Sequence, residues 1–164
     1  MNVGITVAVL LIAAAYLLTS IRIISPHQRA VIFRLGRLLP QPKGPGIFMV
    51  TVPLDRVIRV SLAEQRVELP AEDVTTQDEM TRRVAGEVVF RILDPVRAIG
   101  ASVDYRNQIM QLASQSIQTK CREVNADEFS ERAEAIGASA KKAMESAAAG
   151  WGVQVIQVIV EPTE

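Results

Sequence analysis

The chain has 164 residues with 18 basic and 18 acidic side chains, hence no net formal charge, and it contains one cysteine and one histidine. A balanced charge supplies no basic face for nucleic acid, and a lone cysteine cannot close an intrachain disulfide. One Trp, two Tyr and four Phe are too few for an aromatic-lined sugar or single-strand site.

No Asp, Glu, Lys or Arg occurs before Arg22. Val3 to Ile21 reads VGITVAVLLIAAAYLLTSI, and at the helical rise it would extend roughly 28 Å, close to the ~30 Å hydrocarbon core of a bilayer. The pattern predicts an N-terminal transmembrane helix, an anchor over residues 1–24, with Val3, Val7, Leu10, Leu11, Leu17 and Ile21 among its spanning residues. A cleaved signal peptide would need a basic leader, and only Met1 and Asn2 precede the run. Ala13-Ala14-Ala15 resembles a cleavage site but lies inside the apolar stretch. Beyond the helix come Arg22, Arg29, Arg34, Arg37 and Lys43, with no acid until Asp55. The positive-inside rule then predicts a single pass with the folded part on the cytoplasmic face. These five basic residues are expected at the membrane surface, where each is worth about 1 kcal/mol beside anionic lipid; the plainer reading puts some of them on the solvent face of a strand.

The remainder, 25–162, reads as one soluble domain. Ala30 to Leu35 is β-branched and apolar, a strand, and Gly36 permits a turn. Pro40 to Gly46 is too rich in proline and glycine for regular structure, and Pro45-Gly46 suits the centre of a type II turn. Ile47–Val50 and Val57–Val60 are strand candidates, separated by Pro53 and Asp55. Gln65 to Leu69 alternates weakly and is expected to stop at Pro70. Thr81 to Leu93 is the clearest strand, with Val84, Gly86, Val88, Phe90 and Ile92 on one face and Arg83, Glu87 and Arg91 on the other. Asp94-Pro95 opens a short helix as N-cap and first helical residue.

After Asp104 the period becomes helical, with Ile109, Ala113, Ile117, Cys121 and Val124 on one stripe. Phe129, Ala133, Ile136, Ala140, Met144 and Ala147 mark a second amphipathic helix. Glu128 and Arg132 are placed to pair on its outside, and Gly150 is placed to end it. Val153 to Val160 is a last strand. Strands, helices and a strand in this order predict an α+β fold with helices packed on an antiparallel or mixed sheet.

Chemistry is hard to build from these residues. His27 stands beside the apolar segment, away from any partner for a catalytic triad or metal site. Cys121 on a helical apolar stripe reads as a buried, inert thiol. The acids Glu64, Glu68, Glu72, Asp73, Asp78 and Glu79 match no calcium loop. Gln77-Asp78-Glu79 reads as a solvated turn between strands, against an enzyme using that turn for acid–base work. Lys43-Gly44-Pro45-Gly46 lacks the length and the following helix of a phosphate loop. Catalytic, cofactor-binding and metal-binding residues are therefore expected to be none, and the chain is expected not to be an enzyme.

Four segments resemble, in order, the stomatin–prohibitin–flotillin family, whose shared unit is the SPFH or band 7 domain. Arg29-Ala30-Val31-Ile32-Phe33-Arg34-Leu35-Gly36-Arg37 is similar to its opening strand and Lys43 to Phe48 to the following turn. Thr75 to Asp78 with Val88-Val89-Phe90-Arg91-Ile92 resembles its central turn and strand, and Trp151 to Val155 the start of its last strand. The likeness covers roughly 22–162 and is closest to the stomatin and slipin branch. It implies a membrane-anchored scaffold that self-associates into homo-oligomers and organises or regulates neighbouring membrane proteins such as a protease or channel. An NfeD-type membrane protein or a membrane protease would be the partner, and no cofactor is implied. The alternative is a tethered adaptor that binds one partner without large assembly. The family's long C-terminal Ala/Glu/Arg-rich coiled-coil helix has no counterpart before Glu164, so a short member or a fragment is expected. No proline interrupts the apolar segment, which favours a straight span over a hairpin.

Overall fold

The computed structural model describes residues 3–51 and 54–163; Pro53, expected to separate two strands, lies outside the described residues. The side chains of Val3, Ile5, Leu17, Leu18 and Thr19 also lie outside them. The chain forms two compact units that divide between Val60 and Ser61.

The first unit begins with α1 (Val3–Ser20), an uncharged helix. Its described side chains from Thr6 to Tyr16 are exposed without interruption. They make about 16 Å of helix, which is half a bilayer. Among the described residues no helix is long and apolar enough to cross a membrane, so the expected span is formed as a helix but is not met as a span.

Strand β1 (Ile21–Ile24) follows directly and pairs antiparallel with β4 (Gly46–Met49). A separate three-stranded sheet has the order β3-β2-β5, from β2 (Gln28–Arg34), β3 (Arg37–Leu38) and β5 (Asp55–Ser61). Leu35 and Gly36, both at positive φ (50° and 79°), join β2 to β3. Two left-handed residues are what a two-residue type I′ hairpin requires, so the strand expected to include Leu35 stops one residue sooner. Gly46 has φ +120°, a conformation open to the glycine of Pro45-Gly46 and poorly tolerated by other residues. Ile24, Ala30, Val31, Ile32, Val50 and Val60 form the buried apolar set of this unit.

The second unit is a three-stranded antiparallel sheet, β6-β7-β8, from β6 (Gln65–Thr75), β7 (Thr81–Ile92) and β8 (Val153–Thr163). Helices α2 (Pro95–Ala101), α3 (Tyr105–Cys121) and α4 (Phe129–Gly150) connect β7 to β8. Among the described residues the expected single sheet is thus three sheets.

Strand β7 buries Val84, Val88, Phe90 and Ile92, as the alternation predicts. Opposite them lie Ile109, Ala113, Ile117 and Cys121 of α3 and Phe129, Ile136, Ala140, Met144 and Ala148 of α4, all buried. Phe90 and Tyr105 meet edge to face, with ring centroids 6.4 Å apart. Pro70 does not end β6. The register shifts between Leu69 and Glu72, and a bulge on an edge strand is where a proline without an N–H can sit. A second shift between Val89 and Phe90 explains the uneven pattern of β8. Val153 and Val155 face inward, the extra residue resets the phase, and Val158 and Val160 face inward after it, leaving Gln154 and Gln157 exposed.

Asp94 caps α2, its Oδ1 accepting from the N–H groups of Val96 (3.0 Å) and Arg97 (3.1 Å). Gly150 is the last residue of α4 rather than the residue that stops it. Gly152 takes the left-handed turn instead, at φ +68°, and a Cβ there would stand 2.6 Å from Asp94 Cβ. Glu128 and Arg132 pair as expected, at 3.1 Å.

Candidate membrane-facing surface

Helix α1 has the composition of a bilayer element and the exposure of one. Val7, Val9, Leu10, Leu11, Ile12 and Tyr16 are all exposed, so among the described side chains from Thr6 to Tyr16 no stripe of the helix is covered. An apolar helix exposed on every side is at home only in lipid or under a partner. Of the expected spanning residues, Val7, Leu10 and Leu11 lie on this surface, whereas the side chains of Val3 and Leu17 are outside the described residues. Ile21 is not in the helix; it is the first residue of β1.

At the helix end Ser20 is buried, its hydroxyl donating to the Tyr16 carbonyl (2.9 Å). The Val50 N–H donates to the Ser20 carbonyl (2.8 Å). The polar groups where the helix meets the sheet are therefore satisfied internally. Ile23, Ile47 and Met49 are exposed as well. The sequence pattern places Ile47 and Met49 in a strand candidate but Ile23 within the expected anchor, whereas Ile23 belongs to β1.

The five basic residues have different fates. Arg22, Arg37 and Lys43 are exposed, and the Lys43 backbone bridges to Ala30. Arg29 is half-buried and turns inward along its own loop, donating to the carbonyls of Pro26 (3.1 Å) and Gln28 (2.9 Å). Arg34 is committed to an acid. Its Nε and Nη2 donate to Asp55 Oδ1 and Oδ2 at 2.7 and 2.9 Å, and the side chains are 55% and 1% exposed respectively. The Arg34 guanidinium holds the Asp55 carboxyl below its usual range, aided by the Thr51 N–H, while burial pushes the other way. The same pair raises Arg34. A side chain expected at the membrane surface is thus also the counter-ion of a buried carboxylate.

The acidic turn has a structural occupation. Asp78 accepts from the Thr76 hydroxyl and from the Ala126 N–H (3.2 Å), and the Gln77 N–H donates to the Val124 carbonyl (3.0 Å). The β6–β7 turn is thereby clasped to the α3–α4 connection. Thr76, the Ala126 N–H and the Arg82 charge together lower Asp78 against the opposing effect of burial. Glu72 accepts from Gln118 (3.1 Å) of α3. Among the described residues no group of His, Cys, Asp and Glu side chains could hold a metal ion. Cys121 is fully buried, and desolvation pushes its thiol up to about 11.

The described residues thus carry an uncharged exposed helix, a basic strand region and an α+β unit. Residues 22–163 match the SPFH domain / Band 7 family, and the chain belongs to that family. It is similar to a stomatin homolog of Pyrococcus abyssi, 28% identical over 163 residues, 99% of this chain and 60% of that protein. It is likewise similar to Stomatin-1 of Caenorhabditis elegans, 30% identical over 138 residues, 84% of this chain and 42% of that protein. Stomatin-like protein 3 of Homo sapiens is 28% identical over 142 residues, 86% of this chain and 49% of that one. The chain spans about 60% of the length of its archaeal relatives.

Proposed function

We propose that this chain is a membrane-anchored, stomatin-like scaffold without catalytic activity, which self-associates and organises or regulates neighbouring membrane proteins such as a protease or channel. The observation that carries the reading is the exposure of α1 on every described side with no charge along it. The whole helix, eighteen residues, amounts to about 27 Å, slightly under a ~30 Å hydrocarbon core. The described part alone is too short to cross, so the anchoring rests on the exposed apolar surface from Thr6 to Tyr16. The exposed Arg22, Arg37 and Lys43 after α1 favour a folded part on the cytoplasmic face. Membership of the SPFH family and the stomatin relatives support the scaffold role. The occupation of Asp78 and Glu72 in structural hydrogen bonds argues against an enzyme built on the acidic turn.

Alkaline carbonate extraction of membranes carrying the full chain tests the anchor: it is expected to stay in the pellet, and release by carbonate or by salt alone would refute it. Protease accessibility in sealed vesicles then reads sidedness. Crosslinking in the same membranes is expected to give a ladder of self-adducts. A single heterologous adduct would instead establish an adaptor, and would overturn self-assembly.

A further inference from the structure

Strands β1 and β4 pair Ile21 with Met49 and Ile23 with Ile47. Two cross-strand pairs two residues apart lie on the same face of a ladder, so these four apolar side chains form one patch. None is covered: Ile21 is 44% exposed, Ile23 66%, Ile47 73% and Met49 66%. The opposite face carries buried Ile24 and half-buried Phe48 together with exposed Arg22 and Gly46.

We propose that this face of the β1–β4 ladder lies against lipid at the foot of α1, as a second membrane contact made by the folded part itself. The proposal rests on the anchoring of α1 given above. Its occupant follows from continuity. Ser20 ends α1, Ile21 begins β1, and the residue after Met49 donates its N–H to the Ser20 carbonyl. Both strands are therefore held at the helix end, and the environment that α1 enters begins where the patch begins. A two-stranded ladder keeps unpaired backbone groups along its outer edges, which hydrocarbon does not tolerate. The depth is bounded accordingly: the patch sits at the boundary of headgroups and acyl chains, where interfacial elements bury an apolar face ~5–10 Å deep. Arg22, paired with Phe48, lies on the other face of the ladder and is exposed, so no charge stands within the patch.

The test uses the full chain in phosphatidylcholine–phosphatidylglycerol vesicles, with an environment-sensitive fluorophore on Ile47→Cys, Leu10→Cys or Gln41→Cys. Wild-type chain treated identically reports any labelling of Cys121. Nitroxide lipids carry the quencher either near the headgroup or deep in the acyl chain. The proposal expects Ile47→Cys to be quenched more by the shallow nitroxide, Leu10→Cys more by the deep one, and the exposed Gln41→Cys by neither. Quenching at position 10 without quenching at position 47 overturns the ladder contact and leaves the anchor standing. Quenching at 47 alone removes the anchor and leaves the ladder as the membrane contact; quenching at neither removes both. Self-quenching at 47 that ignores nitroxide lipid would assign the patch to a second copy of the chain and would also overturn the proposal.

Discussion

Gly137 lets α4 approach the β8 backbone closely, and replacing it with alanine should destabilise the second unit although it improves the helix. A Cβ built there stands 2.4 Å from the Val158 carbonyl oxygen and 3.4 Å from its carbon. The oxygen belongs to backbone within a paired strand, so relief requires α4 to move off the sheet. That motion loosens Ile136, Ala140 and Met144, all buried on the same helix. Overpacking of this kind costs about 1–3 kcal/mol, and a clash with backbone belongs at the upper end. Alanine in a helix interior returns up to about 1 kcal/mol, leaving a net loss of about 2 kcal/mol. Gly150→Ala is the control: the same helix, an ordinary negative φ and nothing within 4 Å of the new Cβ, for an expected gain of about 0.4–1 kcal/mol. Urea unfolding of the full chain in micelles, followed by Trp151 fluorescence, reads both variants. Trp151 is the sole tryptophan and the C-cap of α4. A midpoint for Gly137→Ala at or above wild type, with an unchanged slope, would refute the close-packing account.

Asp55 has a folded-state pKa held down by Arg34, so its stabilising contribution is complete above the unfolded value of about 3.9 and is lost as pH falls through the folded value. Asp55→Asn should be less stable at neutral pH and should flatten the acid limb of a midpoint-against-pH curve; parallel limbs for the two proteins would count against the pair. Asp94→Ala removes an oxygen that caps two N–H groups and should cost about 1 kcal/mol, whereas Asp94→Asn should keep most of that, as thermal melts of the two would show. Cys121, buried with its thiol raised to about 11, should resist alkylation at neutral pH in the folded chain and react at once in denaturant; equal rates in both conditions would mean that α3 does not bury it.

Periodicity made the second unit legible. The stripes of α3 and α4 and the alternation of β7 were readable because each buries one face against the others, and burial selects for period. The same logic fails wherever phase is reset. Pro70 reads as a terminus because a bulge cannot be told from a break in a single strand, and which β8 residues face inward shows only once its partner reveals the extra residue between Val155 and Gln157. Gly150 and Gly152 both suit a helix end; the choice of Gly152 depends on Asp94, distant in sequence, leaving no room for a side chain. In the first unit the exposed pairs of β1 and β4 could not be read, since pairing Ile23 with Ile47 requires a register across the proline-rich segment.

The Arg34–Asp55 pair separates two roles that a charge count merges. Orientation of an apolar segment is decided as the chain inserts, before Asp55 is folded against Arg34, so Arg34 contributes to the positive-inside bias along with Arg22, Arg29, Arg37 and Lys43. Once the sheet forms, its charge is matched by a buried carboxylate and its attraction to anionic lipid largely disappears. At about 1 kcal/mol for each basic residue near the surface, neutralising Arg34 by pairing should matter little to surface adhesion. Replacing the pair together, Arg34→Gln with Asp55→Asn, should therefore leave the dependence of membrane association on anionic lipid nearly as it was, while Arg22→Gln should weaken it. If the two variants shifted that dependence equally, the guanidinium would have to be leaving Asp55 for the headgroups, and the pair would not hold in the membrane-bound state.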